Sequence, residues 1–217
     1  MTAGTAAFFR FEGALSPRQT VHAAGWLATN SQTFGERLSR LGAVVASAPF
    51  SVGGDVGTGT RLAWSSTRGM TEDRLEILGE EYWHTHLEGR LLPIGLDLLE
   101  RARADRRRII LISDSIDVIV KHAAASVRAD HWICNHMELR NGRATGRLAD
   151  PVVTHPGGRW LAEWAQEHAI DLRASCGYGA SAADAVLLAA IGLPCAVRPD
   201  WRLRRMARDL DWPVVDA

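Results

Sequence analysis

The sequence predicts an α/β fold: a parallel sheet with helices on both faces. Short, nearly unbroken apolar runs recur along the chain, as strands buried on both faces require. Stretches with helical spacing separate those runs. Size agrees as well, because 217 residues, 47% of them hydrophobic, suffice for one full core and an insertion.

Residues 5–11 are apolar almost throughout and read as the first strand. The second is "RIILIS" at 108–113, preceded by a helix that opens at Pro93 and carries Leu96, Leu98, Leu99 and Ala102. Proline suits a first helical position, where its missing N–H has no partner to lose. A helix near 115–127 follows, then a pair of short strands near 130–148 turned at Asn141-Gly142, a two-residue hairpin signal. A helix over 158–168, "LRASCGYG", an alanine-rich helix at 181–190, "PCAV", the helix "DWRLRRMARDL" and "WPVV" complete the alternation. Residues 16–91 break it. They hold helical patterns in "PRQTVHAAGWLA" and "TEDRLEILGEEYWHTHLEG", the latter with Thr71 as N-cap, and a glycine-rich stretch, "SVGGDVGTGT", that reads as a link. The expected division is a core of 1–15 and 92–217 with a helical insertion of 16–91.

Composition excludes several functions. Twenty-five basic and 25 acidic residues give zero net charge and a pI near 7.1, so no field favours nucleic acid or an anionic membrane surface. Three cysteines, without a charged-then-apolar leader, point to the cytoplasm rather than to a disulfide framework. No apolar run approaches the 18 residues a membrane span needs. All but one of the basic residues are arginine, and the sole lysine is Lys121.

In open α/β sheets chemistry gathers at the carboxyl ends of the strands. That edge would collect Arg10, Glu12, Ser113 and the segment "GYGASAAD". In these four places the chain resembles the haloacid-dehalogenase superfamily, most closely its phosphoserine-phosphatase-like subfamily. The resemblance spans almost the whole chain. It implies a Rossmann-like core and a helical C1-type cap inserted after the first strand.

The family's first motif, Asp-x-Asp-Gly-Thr-Leu, is matched in frame by Arg10-Phe11-Glu12-Gly13-Ala14-Leu15. Its first aspartate is the family's phosphoryl acceptor, a role closed to a guanidinium, which offers only donors. Glu12 falls on the family's acid/base position. Ser113 ends the second motif, where the family binds a phosphate oxygen, although a serine there also serves as a turn cap. The third motif, a lysine, aligns with Gly157, with Arg159 two residues on. Lys121, eight residues past Ser113, lies about 12 Å along a helix and is too distant to replace it. The fourth, Gly-Asp-Ser-x-x-Asp, reads Gly179-Ala180-Ser181-Ala182-Ala183-Asp184, so one of two acidic metal ligands is missing. Asp184 is then either a retained ligand or a partner of a helix N-terminus.

Arg10 would bring the positive charge that the family's Mg²⁺ supplies, held by Glu12 or Asp184, since facing carboxylates without a cation are costly to bury. Mg²⁺ binding is therefore expected to be lost, and no other cofactor is implied. The expected function is a catalytically inactive phosphatase homologue that binds a small anion or a protein partner through Arg10, Glu12, Gly13, Ser113, Arg159, Ser181 and Asp184. A second copy of the chain is one such partner. The alternative is a non-phosphatase enzyme using Glu12 as acid or base and Arg10 as a clamp on a carboxylated or phosphorylated small molecule. Two further patterns read as structural. In a strand, His131 of "HWICNH" faces away from Cys134 and His136, against a zinc site. "GGDVGTG" lacks the Gly-Lys-Ser/Thr of a phosphate loop. Trp26, Trp64, Tyr82 and Trp83 are expected in the cap core or lining the cleft.

Overall fold

A computed structural model describes residues 4–17, 20–30, 40–47, 56–149 and 158–216. Six parallel strands form the main sheet in the order β3-β2-β1-β6-β7-β8. They are β1 (Ala6–Arg10), β2 (Arg108–Ile116), β3 (His131–Asn135), β6 (Cys176–Gly179), β7 (Leu193–Val197) and β8 (Val214–Val215). An antiparallel hairpin, β4 (Met137–Arg140) and β5 (Arg143–Leu148), stands apart. Asn141 and Gly142 turn it with φ of 51° and 69°, as a two-residue hairpin loop demands.

Strand alternation sorts the core into two layers. Ala7, Phe9, Ile109 and Leu111 pack on one face with Leu98, Leu99 and Ala102 of α5 (Pro93–Ala104) and with Ala123 and Ala124 of α6 (Asp117–Ser126). Ala6, Phe8, Ile110 and Ile112 pack on the other with Leu161 and Ala165 of α7 (Gly158–Glu167) and with Leu187 of α8 (Ala185–Ala189). Both faces are covered, which is why these strands carry no polar alternation. At the far edge, Leu203 and Ala207 of α9 (Trp201–Asp209) cover Leu188 and Ala196.

Between β1 and α5 lie α1 (Thr20–Thr29), α2 (residues 40–47), α3 (Val56–Ser65) and α4 (Glu72–Tyr82), ending in a wide turn over Trp83–Leu87. Thr71 caps α4 as expected, its hydroxyl accepting from the Arg74 N–H. Trp64 and Tyr82 are fully buried, and Trp26 packs on their cluster.

Two expectations need correction. The pair of strands at 130–148 is only partly a hairpin, because His131–Asn135 joins the main sheet beside β2. "SVGGDVGTGT" is not a link throughout: Val56 onward is helical and buries Ala63 and Trp64 against the core. That burial outweighs a cost of about 1 kcal/mol per glycine in a helix. Residues 51–55 lie outside the described ones. Among the described residues no helix is long and apolar enough to cross a membrane.

Candidate functional site

Adjacent strands β2, β1 and β6 end side by side, and their ends carry the charged residues. Arg10 closes β1, in register with Ile112. Beyond it the chain turns over Phe11–Leu15, with Glu12 extended, Gly13 at φ +94°, and the Ser16 N–H bonded to Phe11 O at 2.8 Å. A positive φ at this point favours glycine, since a side chain would be strained there. The turn sends the Glu12 carboxylate back over the end of β2.

Arg10 is 3% exposed, and its guanidinium stands among three carboxylates. Its Nε lies 2.8 Å from Asp184 Oδ1, and its Nη2 lies 3.7 Å from both Glu12 Oε2 and Asp114 Oδ2. Arg10 Nη1 is buried with no hydrogen-bond partner among the described residues. Burial by itself would favour loss of the arginine proton. The fields of Asp184, Asp114 and Glu12 outweigh that effect and hold the guanidinium pKa above its ordinary value.

Glu12 behaves in the opposite way. Burial, followed by the charge of Asp114, pushes its carboxyl up to about 8, against the smaller pull of Arg10 and Ser113. Its surroundings therefore favour the protonated form. Ser113 Oγ donates to Glu12 Oε1 at 2.5 Å and accepts from the Ser115 N–H at 3.0 Å. Its hydroxyl is thus committed within the site.

Asp184 is fixed by its own segment. Its Oδ2 accepts from the backbone N–H groups of Ala180 and Ser181, both at 2.8 Å, and from Ser181 Oγ at 3.0 Å. These bonds form a reciprocal cap where the chain leaves β6 for the short helical turn Ala182–Asp184. Asp184 thus caps a helical turn through one oxygen and pairs with Arg10 through the other.

Asp114, absent from the sequence reading, is the third carboxylate. β2 runs past its apolar stretch to Ile116, and the register shift between Ile112 and Ile116 brings Asp114 toward Arg10. The cap meets it there: Thr20 Oγ1 of α1 donates to Asp114 Oδ1 at 2.6 Å, and Trp64 Nε1 of α3 reaches Asp114 O at 3.4 Å. Asn135 Nδ2 donates to the same carbonyl at 2.7 Å. Asp114 thus joins Glu12 and Asp184, the two carboxylates that the sequence placed beside Arg10.

Tyr82 of α4 faces this group from the cap, its hydroxyl pKa raised by burial and then by Glu12. Its OH lies 2.8 Å from His22 Nδ1, and the rings of His22, Trp26 and His86 surround it. Gly157 lies outside the described residues, as does the side chain of Arg159; the Arg159 backbone falls in the first turn of α7. Lys121 is engaged elsewhere, in an ion pair with Glu76 of α4. His131 packs on Trp164 and His168, whereas His136 pairs with Asp117, so "HWICNH" is divided between surroundings. No group of three or more His, Cys, Asp or Glu among the described residues could hold a metal ion.

The comparisons agree with this architecture. A protein from Bordetella pertussis Tohama I, described as of unknown function, superposes with a TM-score of 0.84 at 21% identity over 99% of each chain. A probable phosphoserine phosphatase from Vibrio cholerae superposes with a TM-score of 0.67 at 17% identity, covering 97% of this chain and 60% of that one. These likenesses concern the fold. In sequence, a phosphoserine phosphatase of Mycobacterium tuberculosis is 25% identical over 182 residues, 81% of this chain and 59% of its own length. A Streptomyces azureus protein named for inhibition of morphological differentiation is 26% identical over 150 residues, 69% of this chain and 54% of its own. The chain thus spans little more than half the length of these two relatives. The haloacid dehalogenase-like hydrolase family model matches residues 8–189, and with strand order and motif frame in agreement, the chain belongs to that family.

Proposed function

We propose that this protein is a catalytically inactive phosphatase homologue of the cytoplasm, which binds a small anionic ligand or a protein partner. The observation that carries the reading is the buried guanidinium of Arg10 among Glu12, Asp114 and Asp184. It stands in the frame of the phosphoryl acceptor and offers no lone pair for attack on phosphorus. A divalent cation does not fit this donor set. Mg²⁺ requires near-octahedral oxygen ligation at about 2.0–2.1 Å, and the carboxylates that would provide it already face Arg10. Phosphate monoester hydrolysis is among the slowest uncatalysed reactions, with enhancements up to about 10²¹. A hydroxyl at Ser113, itself bonded to Glu12, cannot replace both nucleophile and metal. The buried, unpartnered Nη1 of Arg10 supports an anion as ligand, because an unpaired donor there is costly. Assay of p-nitrophenyl phosphate with Mg²⁺ tests the reading. The expected rate equals that of an Arg10→Ala control, and a rate above that control overturns the proposal.

One observation favours a second reading. A carboxyl that titrates near 8, as Glu12 does, suits a general acid at neutral pH. Paired with Arg10 as a clamp, it would serve a non-phosphatase reaction on a carboxylated or phosphorylated small molecule. A metabolite captured between Arg10 and Ser113, and turned over by wild type but not by Glu12→Gln, would establish this reading in place of the first.

A further inference from the structure

Near the end of β2 two consecutive donors hold the two oxygens of one side chain. The Ser113 hydroxyl donates to Glu12 Oε1 at 2.5 Å, and the Asp114 N–H donates to Glu12 Oε2 at 3.4 Å. A hydroxyl followed by the next main-chain N–H is a concave donor pair that suits an oxyanion. Glu12 is carried to it by its own turn. Its backbone is extended, with ψ of 113°, before Gly13, and the turn is closed by bonds from Gly13 N–H to Ser16 O at 2.6 Å and from Ser16 Oγ to Phe11 O at 3.1 Å. With the turn closed in this way, side-chain length decides where the carboxyl ends. One methylene fewer withdraws it by about 1.5 Å, which takes both contacts out of hydrogen-bond reach.

Two further donors stand beside this pair. Arg10 Nη1 and Ser115 Oγ are buried without a hydrogen-bond partner among the described residues, and each residue is only 3% exposed. The Ser115 N–H bonds to Ser113 Oγ at 3.0 Å, and Arg10 Nη2 lies 3.7 Å from Glu12 Oε2, so both residues adjoin the held carboxyl. An oxyanion in the place of that carboxyl would meet the donor pair with Arg10 and Ser115 at its side. An oxyanion that entered with Glu12 still in place would be a fourth acid around one guanidinium, after Glu12, Asp114 and Asp184. Like charges crowded into a buried site disfavour ionisation. Exchange is therefore favoured over addition.

We infer that Glu12 is the resident occupant of an anion site formed by Ser113 Oγ and the Asp114 N–H, and that an external oxyanion binds by displacing it. Glu12 is then an internal competitor, and its tether gives it a high effective concentration that weakly bound anions do not overcome. The inference rests on the reading of a small anion as ligand and concerns how that ligand gains the site. Calorimetric titration of inorganic phosphate into the wild type, Glu12→Asp and Glu12→Gln is the experiment. Glu12→Asp keeps the acid and loses the reach, so it should bind phosphate about tenfold or more tightly than the wild type. Glu12→Gln keeps the reach and should bind no more tightly than the wild type. The Asp114 amide resonance should move with phosphate in Glu12→Asp at concentrations that leave it unmoved in the wild type. Equal affinity in the wild type and Glu12→Asp overturns the inference while leaving a small anion as ligand, and so does absence of binding to Glu12→Asp when the wild type binds. Turnover of p-nitrophenyl phosphate is a separate readout, and it overturns the reading of an inactive homologue instead. Where Glu12→Asp does not fold, wild-type crystals with and without phosphate decide: Glu12 on Ser113 in the one and displaced in the other is expected, and an unmoved Glu12 beside bound phosphate overturns the inference.

Discussion

The carboxyl ends of β1 and β6 lie side by side, yet they are stabilised in different ways. The β6 end is locally sufficient: Asp184 accepts three bonds from its own turn before it meets Arg10. The β1 end depends on its neighbours, since the charge of Arg10 is buried against the carboxyl groups of Asp184, Asp114 and Glu12. A residue held by its own loop tolerates loss of a partner, whereas a residue held by distant charges does not. That contrast ranks the substitutions.

The largest effect is expected at Arg10. Arg10→Met keeps the volume of the side chain but leaves carboxylates buried without a cation, a loss of about 3–5 kcal/mol, read from the urea midpoint. Asp184→Asn keeps one oxygen for the cap but loses the charge and the second oxygen, which accepts from Arg10 Nε–H, so about 2–3 kcal/mol is expected. Equal losses in the two variants would break the comparison.

Glu12→Gln should change little at low pH, where the native carboxyl is already protonated. Its mark is on the pH profile. Because the folded pKa, about 8, exceeds the carboxyl's ordinary value of 4.5, the folded state binds more protons across that window. Wild-type stability from this group is full below about 4.5 and declines as pH rises through about 8. In Glu12→Gln that decline should disappear, as urea midpoints from pH 4 to 9 would show. An unchanged slope would mean that Glu12 is ionised in the fold. The smallest effect belongs to Lys121→Ala. Its pair with Glu76 is part-exposed, with side chains 39% and 45% accessible, so about 0.3–1 kcal/mol is expected, decreasing with added salt.

The central strands could be read from the sequence because burial on both faces leaves a plain apolar run, as in "AAFF" and "RIILI". Arg10, Glu12, Ser113 and Asp184 followed from the strand ends. β3 was harder: "HWICN" lies at the sheet edge, where Trp132 stays 47% exposed, and its pattern does not separate it from the hairpin. Asp114 was missed for a geometric reason. Alternation predicts that neighbours on a strand face opposite ways, and only the register shift past Ile112 brings Asp114 to the same site as Ser113 and Glu12. An acid directly after the expected anion-binding serine was the available signal. The contacts of Thr20 and Tyr82 depend on how the cap docks, which no local pattern encodes.

The most direct test of the whole account is calorimetric titration of Mg²⁺ and Mn²⁺ into the wild-type protein and into Arg10→Asp. With the guanidinium in place no binding heat is expected, and exchange of that one side chain for a carboxylate should create a site. Saturable binding to the wild type that is lost in both Asp114→Asn and Asp184→Asn would contradict the claim that Arg10 stands where a metal ion would.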